Sequence, residues 1–162
     1  MFVFNFKMKS SKIPIIFFAV MSAAAAIVCI ACMTKMQGKP PSSATCDEIG
    51  TYTLQAGNTE EQCLFLEQFG FEPDSENFQS SEVIIPSEFN TVYDEYNELQ
   101  KKVGLDLSKY KGKNVKKVTY PLKNTDNETA VLLVFRDTVI GGHITNGEYG
   151  EDNKPLNCYG KN

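Results

Sequence analysis

The longest apolar run in the chain comes first. From Ile13 to Met33, 21 consecutive residues carry no charge. As a helix this run is roughly 30 Å long, the thickness of a bilayer's hydrocarbon layer. It is longer than the roughly 7–15 apolar residues of a cleavable signal peptide. Pro14 falls in the first turn, where a missing N–H costs little. The pattern predicts a basic segment at 1–12 and a transmembrane helix at 13–33. Residues 34–57 hold adjacent prolines and small polar residues without a sustained period, which is the composition of a linker. Within them, Gly50–Ala56 offers a short edge strand.

Periodicity returns at residue 58 and changes from helical to alternating along 58–147. "NTEEQCLFLEQFGF" starts with a capping residue at Asn58 or Thr59, and Thr59 with Gln62 has capping-box spacing. Glu60 and Glu61 suit the positive end of the helix dipole. Leu64, Phe65 and Phe69, widened by Leu66, form the expected apolar stripe, and Gly70 is the expected terminator. "EVIIP" (Glu82 to Pro86) reads as a short strand. A second helix follows, with Ser87 as its cap and Phe89, Val92, Tyr93, Tyr96, Leu99 and Val103 along one face. Gly104 closes it. Leu105–Lys113 is turn-rich, and three β segments come next: Asn114–Leu122, Glu128–Phe135 and Thr138–Thr145. The turn at Asn124–Asn127 is carried by residue chemistry. The one at Arg136 and Asp137 lacks the glycine that hairpin turns favour. Residues 148–162 read as a polar loop or tail. The expectation is an α+β domain, with two helices on one face of a mainly antiparallel sheet of about four strands.

Charge sets the orientation. Lys7, Lys9 and Lys12 precede the apolar run, and no acidic residue occurs before Asp47. The positive-inside bias therefore puts the N-terminus in the cytoplasm and the domain outside the cell membrane. Two other fates of the run are a signal-peptidase cut after Ala31 and lipidation at Cys32. Both leave the domain on the same side. Beyond residue 39, eleven basic residues face twenty acidic ones, a net charge of −9. Such a domain repels phosphate backbones, which argues against a nucleic-acid partner. Within the apolar run, the small residues Ser22 to Ala26 permit close helix packing, as a subunit of a membrane complex would use.

Chemistry-bearing residues are sparse. Cys46, Cys63 and Cys158 lie beyond the apolar run, and a Cys46–Cys158 disulfide would join the two ends of the domain. Free thiols are the plain alternative. The only histidine is His143, in "VIGGHITNG". Gly141 and Gly142 before it are a poor phosphate cradle, because no helix follows to aim its amides at an anion. A catalytic His143 needs Cys63 or Cys158 within hydrogen-bond reach. The mechanical reading is a bend, a bulge or a close approach by a neighbouring element. Tyr93 and Tyr96 offer a ligand-stacking pair, but aromatic bodies in a core explain them more simply. Asp74 with Glu76, and Glu148 with Glu151 and Asp152, lack the ligand spacing of a calcium loop. No catalytic, cofactor-binding or metal-binding residue is assigned, and no cofactor is implied.

Three segments carry a family resemblance: "EEQCLFLEQFGFE", "VIIPSEFNTVYDEYNELQKKVGLDLSKYKGKNVKKVTYPLKN" and "VLLVFRDTVIGGHI". Together with the N-terminal span, they make the chain similar to the bacterial family known as domain of unknown function 4830, found mainly in Gram-positive anaerobes. The resemblance covers Thr59 to Ile144 and is most specific over Ile85 to Gly112. It implies a membrane-anchored, exported α+β domain and brings no mechanism. The family pattern implies an acidic residue after the two glycines, where this chain has His143. It likewise implies a basic residue at the position of Cys63. The resulting expectation is a non-catalytic binding or regulatory module at the cell surface, with a protein or cell-wall partner. A Cys/His hydrolase and a membrane-complex subunit are the alternatives.

Overall fold

The structure is a computed structural model that describes residues 39–148 and 153–156. The predicted basic segment at 1–12 and membrane span Ile13–Met33 lie outside the described residues, as do Glu151, Asp152 and Cys158. Among the described residues, no helix is long and apolar enough to cross a membrane.

Strands β1 (Ser43–Cys46) and β2 (Gly50–Thr53) form an antiparallel hairpin, and helix α1 (Thr59–Glu67) follows. Strand β3 (Gln79–Ile84) leads to α2 (Thr91–Lys101) and a 3₁₀ turn (Leu107–Tyr110). Strands β4 (Asn114–Pro121), β5 (Thr129–Phe135) and β6 (Thr138–Thr145) complete a four-stranded antiparallel sheet of order β3-β4-β5-β6. The α+β expectation holds at this level.

Alternation along the strands gives the sheet two apolar faces. Val118, Tyr120, Ala130, Leu132 and Val134 join one core with Phe65, Leu66 and Phe69 of α1 and with Cys46 and Tyr52 of the hairpin. Val115 and Leu133 join a second core with Leu107, Phe89, Tyr93 and Tyr96. The helices therefore cover both faces, not one as expected. Strand β5 is the reason: its run Ala130–Val134 is buried throughout, so both of its faces need cover.

The reading of 34–57 as a linker also needs correction. From Ser43 onward it holds the hairpin, and Tyr52, Leu54 and Ala56 are core residues. Tyr52 packs edge-on against Phe69, with ring centroids 4.9 Å apart, and its hydroxyl donates to the carbonyl of Val103.

Both helices end as their glycines require. Gly70 has φ 85° and Gly104 has φ 78°, in the left-handed region. The N–H groups of Phe71 and Leu105 reach back to the carbonyls of Leu66 and Gln100. This is the six-residue closure of a Schellman turn, which satisfies otherwise orphaned carbonyls. The N-caps are Asn58 and Asn90, whose side chains accept from the N–H groups of Glu61 and Tyr93 at 2.9 Å. Ser87 is thus not the cap of α2. The expected Thr59–Gln62 box is replaced by Asn58–Glu61, with Glu61 also accepting from the Gly57 N–H. Gln62 is buried instead, where it takes the Tyr120 hydroxyl at 2.7 Å and donates to the Ala56 carbonyl.

Strand β3 starts at Gln79, earlier than the expected Glu82, because "QSS" completes its register against β4. The face of α2 is rotated from the expected one. Val92 is 72% exposed, while Asn97 and Gln100 are buried. Leu64 of α1 is likewise turned outward, at 51% exposed.

Candidate binding surface

His143 sits on β6 opposite Val131, on the face of the sheet covered by α2. Its Nδ1 lies 2.8 Å from the Tyr96 hydroxyl, and the two rings meet edge to face. The contact continues a row of rings, Phe89–Tyr93–Tyr96–His143. The two tyrosines are thus partners within the second core. Burial, helped by the positive charge of Lys117, pushes the His143 pKa down to about 4. The ring is therefore neutral near pH 7.

Cys63 is on α1, packed against the opposite core. The sheet lies between its thiol and His143, so these two cannot form a nucleophile–base pair. Burial raises the Cys63 pKa, with the nearby Glu67 carboxylate adding to the effect. That is the reverse of what an activated thiol needs. Cys46 and Cys63 are free thiols. Asp74 forms a turn, accepting from the Glu76 N–H at 3.1 Å and from the Asn77 amide at 2.8 Å. Those bonds hold its pKa below the usual carboxylate range.

Gly141 and Gly142 have a mechanical role. A Cβ on Gly141 would lie 2.9 Å from Leu107 Cδ2, and one on Gly142 would lie 2.8 Å from Leu156 Cδ1 and from the Val131 carbonyl oxygen. The pair lets the 3₁₀ turn and the C-terminal segment close onto β6 from its two sides. The register shift between Leu133 and Val134 is a bulge at the same place. The expected bulge and the expected close approach both occur.

Around these glycines, the outer edge of β6 is sealed by three distant parts of the chain. The Val139 N–H donates to the Leu54 carbonyl at 2.8 Å, and the Ala56 N–H donates to the Asp137 carbonyl at 2.9 Å. Next, the Gly142 N–H donates to Gln100 Oε1 at 2.7 Å. Last, Ile144 and Lys154 exchange a pair of backbone bonds, both 2.9 Å.

The opposite edge is bare. Among the described residues, β3 pairs with β4 alone, and five of its six residues are exposed. The Ile85 N–H turns inward to the Lys113 carbonyl. By alternation, the N–H and C=O groups of Ser80, Glu82 and Ile84 point away from the sheet. Ile84 is 70% exposed, and Phe78, stacked on Tyr120 just before the strand, is 38% exposed.

Residues 65–144 match the family model of Domain of unknown function (DUF4830). That match supports the resemblance read from the sequence. It runs from within α1 to the end of β6 and leaves out the β1–β2 hairpin and the C-terminal segment. Both edges of the main sheet, β3 and β6, lie inside the DUF4830 match, whereas Leu54 and Lys154, which seal β6, lie outside it. The chain matches no curated protein and no solved structure.

Sequence reasoning passed over this edge because its signal is a deficit. "FQSSEVI" is too polar to read as a full strand, and only its pairing to β4 makes it one. The clue was the pair Phe78 and Ile84, apolar residues six apart in a polar stretch.

Proposed function

We propose that this protein is a membrane-anchored, non-catalytic binding module that presents its domain on the outer face of the cell membrane. The reading rests on the apolar run Ile13–Met33 with its basic N-terminal flank, and on the open edge of β3. The edge is the observation that carries it. An exposed strand offers a row of unpaired backbone groups, and proteins that do not use such an edge blunt it with lysine, proline, bulges or cover. Among the described residues, β3 has no lysine, proline, bulge or cover: its register is unbroken and its one charge is Glu82. Adding an extended segment there would complete a fifth strand, with main-chain bonds for affinity and Phe78 and Ile84 for side-chain contact.

The test uses the full chain in living cells. A photoreactive amino acid at Ile84 is expected to crosslink to a partner, while one at exposed Glu95 on α2 is not. External protease is expected to remove the domain from intact cells. Crosslinking that is equal at both positions, or a domain that only lysis makes cleavable, overturns the reading.

A further inference from the structure

The pattern of β3 is complementary to itself, and we infer that the segment completing this edge is β3 of a second copy of the chain, joining two sheets antiparallel across a twofold axis. This rests on the proposed binding role of the edge and names its occupant. The argument is one of register. Ser80, Glu82 and Ile84 turn their backbone groups outward, and their side chains share the face of the sheet on which Phe78 meets Tyr120. A twofold pairing must match these residues among themselves, and few registers do so.

If Glu82 met the second copy's Glu82 on the axis, two like charges would stand directly opposed. One step away, Ser81 lies on the axis and meets its own copy. Ser80 then faces the second copy's Glu82, a hydroxyl beside a carboxylate. Phe78 faces the second copy's Ile84, and symmetry repeats each pair. The two exposed apolar residues of the edge thus cover one another at both ends, around a polar centre without like-charge contact. Glu82 keeps its intramolecular bond, accepting from the Asn114 amide at 2.9 Å. The isologous contact closes after two copies, because the far edge of each sheet at β6 is already sealed.

The test uses the full chain reconstituted in lipid nanodiscs or detergent micelles. Ser81→Cys is expected to form a disulfide between copies on mild oxidation. Residues opposed at a non-hydrogen-bonded site have Cα atoms about 4.5 Å apart, within disulfide range. Glu95→Cys on α2 is the control, and peptide mapping identifies the linked positions. A charge pair then probes the register without touching the core. Ser80→Glu is expected to weaken self-association at least tenfold by analytical ultracentrifugation, and Ser80→Lys to strengthen it several-fold. A chain that stays monomeric at tens of micromolar and forms no 81–81 link overturns the inference. So do Ser80 variants that shift association in the same direction. If the monomeric chain still captures a different protein through Ile84, the second copy is ruled out while the binding module stands. A dimer linked through position 81 that captures nothing else supports the inference.

Discussion

The two edges of the sheet face the same physical problem and solve it in opposite ways. Along β6, backbone groups are taken up by Leu54 and Ala56, by the Gln100 side chain and by Lys154, three parts of the chain far apart in sequence. Along β3, among the described residues, nothing is taken up, and the strand keeps only the pairing to β4. An unpaired edge that threatened the protein would be expected to acquire blunting residues. This contrast between a sealed edge and an open one, with Phe78 and Ile84 at its ends, is what the proposed binding role of β3 rests on.

The contrast makes substitutions on the sealed side costly. Gly104 stands where α2 meets the hairpin: its φ is 78°, and an added Cβ would clash with the Thr45 carbonyl oxygen. Gly104→Ala is expected to destabilise the domain by about 3 kcal/mol, from the left-handed backbone and the forced shift of β1. Urea unfolding would measure it, and a loss below 1 kcal/mol would show that the hairpin is not firmly seated. Gln100→Leu leaves the buried Gly142 N–H without its acceptor. The expected loss is about 2 kcal/mol, along with faster hydrogen exchange at that amide. Exchange that stayed as slow as in the unaltered chain would refute this account of the seal.

A smaller effect follows from His143. Its pKa is lowered from 6.5 to about 4 in the folded state. Between those values the unfolded chain binds the proton and the folded chain does not. The contribution of the neutral ring is thus complete above pH 6.5 and is lost as pH falls toward 4. Because the ring is partly exposed, the expected loss is about 1.5 kcal/mol, under half of the full linkage value. His143→Gln should flatten that part of the stability–pH curve, and unchanged curves would place the ring in water. The smallest effect belongs to the open edge. Ile84→Thr is expected to change stability by less than about 0.5 kcal/mol while weakening association through β3. A large loss of stability there would mean that the edge is structural after all.

Much of the scaffold was legible because local chemistry and global packing agree. Gly70 and Gly104 end their helices as read, and β4, β5 and β6 fall close to the expected limits. What failed was the assignment of faces. Helix α2 buries Asn97 and Gln100 and exposes Val92, because those amides serve backbone groups. Asn97 accepts from the Leu107 N–H at 2.8 Å, and Gln100 accepts from Gly142. A hydrophobic count cannot see a polar side chain recruited for its hydrogen bonds. Of the hairpin only the second strand was legible, as the expected edge strand at Gly50–Ala56, because "SATC" is four residues, too short to show a period. The Arg136–Asp137 turn lacks glycine, yet both residues adopt positive φ, 50° and 61°. The neighbouring strands impose the geometry that the residues do not favour. The β3 edge was the least visible, since it is defined by what does not pair with it.

The seal on β6 also bears on how the domain is made. Its final piece, Lys154, emerges from the ribosome after every strand of the main sheet. Until then Leu54, Ala56 and Gln100 already hold most of β6, and only the stretch around Ile144 lacks its cover. Copies caught without that last piece expose a second short rim beside β3 and can stack into open-ended ribbons. Shortening the chain ahead of residue 153 would make that passing hazard permanent, turning a particle that closes on itself into one that keeps growing.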